Sequence, residues 1–146
     1  MTTGRRLFPL LLPILVAACA GDGPPIRLTN AYAFEPVLGN VGAVYFTVEN
    51  SGGTTDTLTG VEVAGALVAM LHEQVQDGDR MEMRHVGPLP IPVAGRVELQ
   101  PGGYHVMIEG MERSPEVGDT LRVTVRFAVA GNVDINAPVV AYGTER

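Results

Sequence analysis

The stretch TLRVTVRFAV (120–129) constrains the fold more than any other part of the chain, because Leu121, Val123, Val125, Phe127 and Val129 alternate with polar or small residues. A period of two marks a β-strand buried on one face. An AG turn follows, and GNVDINAPVV (131–140) reads as its partner strand. Similar runs recur along the chain: IRLTNAYAF, GAVYFTVEN (42–50), one or two strands within 57–75, RMEMRHV (80–86), and a pair of strands within RVELQPGGYHVMIEGM. Turn clusters separate them, among them SGGTTD (51–56) and DGD (77–79), and GPLPIPVAG (87–95) carries three prolines that confine it to loop or edge. No convincing amphipathic helix, repeat or low-complexity tract appears. Seven to nine short strands are expected, arranged as a single all-β domain, an antiparallel β-sandwich over 26–142.

The N-terminus reads differently. Arg5 and Arg6 precede an apolar run, Leu7 to Ala18, that is short for a membrane span and reads as an export signal over 1–18. Cys19, the only cysteine, follows Val16-Ala17-Ala18 in a pattern that resembles the lipobox of bacterial lipoproteins, which implies a lipidated Cys19 and a linker over 19–25. Cleavage at the A-x-A-like Ala18-Cys19-Ala20 is the alternative, and RRLF faintly resembles a twin-arginine signal. The exported chain is expected outside the cytoplasm, anchored to membrane by lipid or free in the periplasm.

Charge narrows the partners. The chain has no lysine, and the exported part keeps eight arginines against 16 acidic residues, a formal charge of −8. Nucleic acid is excluded as a partner, since phosphate contacts need a basic surface. One cysteine permits no internal disulfide.

The three histidines (72, 85, 105) and the five methionines beyond the leader (70, 81, 83, 107, 111) all fall between residues 70 and 111. Core methionines would be scattered as Val and Leu are. In YHVMIE, His105, Met107 and Glu109 share one strand face and Tyr104, Val106 and Ile108 the other, so Met107 stands with the polar residues. Met70 and His72 share a face, as do Met81, Met83 and His85; Met81 reads as packing and His85 as an ordinary surface histidine. Imidazole with soft, uncharged thioether suits Cu(I), whereas zinc favours His, thiolate and carboxylate. A blue-copper site would need a thiolate, which the domain lacks. Neither a nucleophile elbow nor a hydrolytic His/carboxylate metal set is visible, so an enzyme is not expected.

The spacing His72-x10-Met83-x21-His105-x-Met107 matches the signature of the periplasmic copper chaperones called PCu(A)C, and NAYAFEP, AVYFTVEN, LHEQVQDGDRMEMR, IPVAGRVELQPGGYHVMIEGM, GDTLRVTVRFAVAG and VDINAPVV resemble that family's blocks in order. The resemblance implies a cupredoxin-like Greek-key β-sandwich that binds one Cu(I) per chain through His72, Met83, His105 and Met107. It implies a metallochaperone that hands copper to an oxidase subunit or another copper chaperone during assembly of the Cu(A) centre of cytochrome c oxidase, with a monomer as the expected state. Three departures stand out: Glu73 replaces an optional methionine, Phe34 replaces a common arginine, and the chain ends AYGTER without a His/Met-rich tail. Glu73 and Glu109 would lie near the metal, where a carboxylate could accept an imidazole N–H, but ordinary surface carboxylates are the default reading of both. Copper sequestration through the same site, and a metal-free interaction lipoprotein, are the alternative functions.

Overall fold

The computed structural model describes residues 25–37, 39 and 41–144; the leader, Cys19 and the linker up to residue 24 lie outside the described residues. Ten strands form among the described residues: β1 (Ile26–Phe34), β2 (Gly42–Asn50), β3 (Asp56–Val63), β4 (Val68–Asp77), β5 (Arg80–His85), β6 (Leu89–Ile91), β7 (Arg96–Leu99), β8 (Tyr104–Glu109), β9 (Thr120–Phe127) and β10 (Gly131–Val140). That is one more than the upper expectation, because the proline-rich stretch still contributes the three-residue β6 at a sheet edge. Its Pro90 lies opposite Thr57 of β3, and an edge position spares a residue with no N–H from ladder duty.

The strands run β5-β4-β8-β2-β1 in one layer, with β7 also on β2, and β10-β9-β3-β6 in the other. All pairs are antiparallel except β1 with β10, which meet in parallel over Ala33↔Val139 and Phe34↔Val140 and join the layers into one folded sheet. The result is an all-β, cupredoxin-like sandwich. Its core is the meeting of two inward faces. Val44, Phe46, Val48, Val106 and Ile108 come from the first layer; Leu58, Val123, Val125 and Val139 come from the second, all essentially without solvent contact. The β8 alternation holds: Val106 and Ile108 point inward, which turns His105 and Met107 to the opposite face.

The alternation of β9 stops two residues short of expectation. Phe127 is buried but Val129 is 67% exposed, since the chain has entered the β9–β10 turn. Asp56 takes over there. Its buried carboxylate accepts the N–H groups of Val129 (2.9 Å) and Ala130 (2.8 Å) as well as that of Thr57 (2.6 Å), clasping the turn to the start of β3. Burial pushes the Asp56 pKa up, but the backbone N–H bonds outweigh it and hold the carboxyl below its ordinary value.

β4 and β5 form a hairpin whose two-residue turn places Gly78 at a φ of +60°, a conformation glycine adopts without cost. Every residue of β5 is exposed, so this hairpin overhangs the core. Met81, read from sequence as packing, is therefore 55% exposed, because none of the described residues covers the face it shares.

Candidate metal centre

The outward face of β4 carries Met70, His72 and Gln74, and the register fixes their neighbours. Toward β8, Met70 pairs with Met107 and His72 with His105; toward β5, His72 pairs with His85 and Gln74 with Met83. Directly opposed residues share a face, so all three histidines and three of the methionines converge on one patch. The His72 ring lies 6.0 Å from that of His105 and 5.9 Å from that of His85, centroid to centroid, both nearly edge-on.

Exposure grades across the patch. His105 is only 5% exposed, His72 and Met107 are half-buried, and Met83 on the overhanging strand is 63% exposed. His105, Met107 and Met83 line one cleft of about 220 Å³ with Ala43, Tyr45 and Phe34, and His72 stands beside it. Phe34, where the resemblance leads one to expect arginine, belongs to an aromatic wall with Tyr45 (5.7 Å) and Tyr142 (5.4 Å). The four sequence-predicted residues thus come together, three around the cleft and one at its rim.

His105 Nδ1 lies 3.1 Å from the Gly103 carbonyl oxygen, an acceptor only, so Nδ1 donates and Nε2 is the nitrogen a metal would take. Fixing the tautomer through the second ring nitrogen is the usual arrangement for a metal-binding histidine. Glu73 pairs with Tyr104 on the other face, and both burial and Glu73 raise the Tyr104 pKa as its hydroxyl donates to that carboxylate. Strand alternation thus turns Glu73 away from the imidazole face. Glu109 does share the His105 face and favours the charged form of His72, but burial first, and then His105 and His85, push the His72 pKa below its ordinary value. His72 accordingly stays neutral near pH 7. Its Nδ1 is buried and has no hydrogen-bond partner among the described residues.

An orphaned buried imidazole nitrogen, a second imidazole with its tautomer fixed, and thioethers turned away from the core fit a soft monovalent cation. Among the described residues no group of three or more His, Cys, Asp or Glu side chains is gathered for a metal, and the imidazoles of this face stand beside methionine sulfur. His85 falls outside the spacing signature and is exposed, as a surface histidine would be, yet the β4–β5 register brings it beside His72.

Fold and donor face together define a domain of PCuAC type. The copper-bound PCuAC domain from PmoF2 is similar at a TM-score of 0.66 and 28% identity, over 80% of this chain and 93% of that one. The apo PCuAC domain from PmoF1 is similar at 0.67 and 26% (80% and 94% covered), and CuI-DR1885 from Deinococcus radiodurans at 0.67 and 27% (87% and 85% covered). The chain belongs to the family described as "Putative lipoprotein LpqE-like", whose profile matches residues 26–139. A relative from Leifsonia xyli subsp. xyli, "Putative lipoprotein Lxx21020", is 30% identical over 98 residues, which span 66% of this chain and 59% of that one.

Proposed function

We infer that this chain is an exported, lipid-anchored copper metallochaperone that carries one Cu(I) on His72, Met83, His105 and Met107 and passes it on for assembly of the Cu(A) centre of cytochrome c oxidase. The observation that carries the reading is the cross-strand pair His72–His105 beside Met107 and Met83 in one cleft, with His105 oriented by the Gly103 carbonyl. Likeness to a copper-bound PCuAC domain and to CuI-DR1885 supports it, and the lipoprotein names of the family and relative support an anchor at Cys19.

Two imidazoles and two thioethers are all neutral, so they leave the positive charge of Cu(I) uncompensated. Binding then rests on soft-ligand affinity, and the ion remains open to attack by a receiver's ligands. Met83, on the exposed strand, is the ligand that can lift away without disturbing the core. A lipid anchor would hold the carrier near membrane-embedded oxidase and raise the effective concentration of receiver.

The test is an anaerobic Cu(I) titration of the exported protein against a chromophoric Cu(I) chelator, with His105→Ala and Met107→Leu in parallel. Wild type should withhold one equivalent and both variants should release it; a wild type that cannot compete with a weak chelator sinks the reading. Oxidase activity in a deletion strain separates delivery from sequestration: normal activity with copper sensitivity favours the latter.

A further inference from the structure

The methionines differ in how far they stand from solvent. Of the five among the described residues, Met107 is half-buried and Met111 packs against the core, whereas Met81 and Met83 on β5 are 55% and 63% exposed. β5 ends its layer and pairs only with β4, so among the described residues no strand lies beyond its thioethers. Met83 lines the cleft with His105 and Met107, while Met81 stands opposite Gln76, nearer the hairpin turn and outside the cleft. The most exposed methionine is therefore one of the proposed copper ligands. A thioether binds Cu(I) through sulfur lone-pair density, and the same electrons react with peroxide.

We propose that Met83 is an oxidation switch on copper loading: hydrogen peroxide converts its thioether to the sulfoxide, and the emptied carrier then captures Cu(I) only weakly. This rests on the copper reading above, with Met83 as a ligand. The sulfur attacks one peroxide oxygen, and an S–O bond forms as the O–O bond breaks. The hydroxide that leaves takes the proton of the transferred oxygen and becomes water, so sulfur is oxidised and the peroxide reduced by the same electron pair. The sulfoxide is a poor soft donor and offers a hard oxygen instead, which a Cu(I) site does not select. It is also polar, and the cleft wall it would face is made of Phe34, Ala43 and Tyr45, so the modified side chain turns to the water that β5 already meets. In the loaded form the sulfur is committed to the metal, so the emptied carrier is the sensitive one. His72, His105 and Met107 stay in place on β4 and β8, and a methionine sulfoxide reductase that returns the thioether returns the site.

The test treats the exported protein, empty or carrying one Ag(I) as a redox-inert stand-in for Cu(I), with limiting hydrogen peroxide. Peptide mass mapping locates the added oxygen, and anaerobic chelator competition then measures Cu(I) affinity. In the empty protein Met83 and Met81 should oxidise ahead of Met107 and Met111, and affinity should fall at least about tenfold, to that of untreated Met83→Leu. Ag(I) should protect Met83 and leave Met81 open to attack. A Met81→Leu variant should lose affinity on treatment as wild type does, and a methionine sulfoxide reductase should restore it. Oxidation of Met107 before Met83, or a Met83 sulfoxide that binds Cu(I) as tightly as the thioether, overturns the switch and leaves the copper reading intact. An equal fall in peroxide-treated Met83→Leu does the same by placing the loss at another side chain, as does a fall that circular dichroism traces to unfolding. Ag(I) that leaves Met83 unprotected removes it from the ligand set and the switch with it. An untreated wild type that retains no Cu(I) overturns both switch and copper reading.

Discussion

Replacing Asp56 by alanine tests whether the clasp between β3 and the β9–β10 turn holds the second layer together. Of the three N–H groups its carboxylate accepts, those of Val129 and Ala130 are more than 70 residues away in sequence and lose that acceptor with it. A hydrogen bond to a charged partner is worth about 1.5–3 kcal/mol net, with buried donors left unpaired at the costly end. The Thr57 bond is to the adjacent residue and is discounted, and the turn is only part-buried, so water recovers some of the loss. The expected destabilisation is about 3–4 kcal/mol, or roughly 10–15 °C in Tm for a domain of this size. Urea unfolding followed by tyrosine fluorescence is a suitable assay, since the chain has four tyrosines and no tryptophan.

The pH dependence supplies a second check. A carboxyl whose folded pKa lies below the ordinary 3.8 contributes stability that is fully present above 3.8 and is lost as pH falls through the folded value. The gap between wild type and Asp56→Ala should therefore be constant from neutral pH down to about pH 5 and narrow below it. Copper retention should be the same for both, because Asp56 lies in the layer that carries none of the proposed ligands. A loss under about 1 kcal/mol, or a gap that stays undiminished in strong acid, would refute the claim that an ionised Asp56 clasps the turn.

Other substitutions separate site from scaffold. Glu73→Gln should leave Cu(I) retention unchanged in the chelator competition, because that carboxylate faces Tyr104 on the far side of β4. Met83→Leu should weaken Cu(I) retention while moving Tm by no more than an exposed-site change of about 0.5 kcal/mol would. Ile108→Val, deleting a methyl from a side chain 1% exposed, should cost about 1 kcal/mol by urea unfolding with copper binding preserved. Gly110→Ala forces an L-residue to a φ of +66° and sets its Cβ 2.8–2.9 Å from Leu67, a loss of about 1–2 kcal/mol measurable as a fall in Tm.

The strand class was legible because alternation over 104–109 and 120–127 is a local property, and the assignment of His105 and Met107 to the face opposite Val106 and Ile108 follows from it. What alternation does not carry is whether a face is covered. Met81 and Met83 share a side with His85, but nothing local to RMEMRHV says that β5 would overhang the core. Register is equally silent: the meeting of His85 with His72 depends on a two-residue turn at Gly78, and one residue of slip would turn β5 inside out. The parallel contact of β1 with β10 joins chain ends more than 100 residues apart and leaves no local trace. The group that orients His105 was invisible for another reason. It is a backbone carbonyl, and a sequence of side chains does not advertise where a main-chain oxygen will point.

That carbonyl also bears on how the chain would work over many cycles. Gly103 oxygen accepts from the Gln74 N–H of β4 at 3.1 Å as well as from His105, so one atom serves the sheet and the imidazole together. The ring is aimed by the scaffold, without help from any cargo. An emptied site of this kind keeps its aim and needs no rebuilding before the next ion arrives.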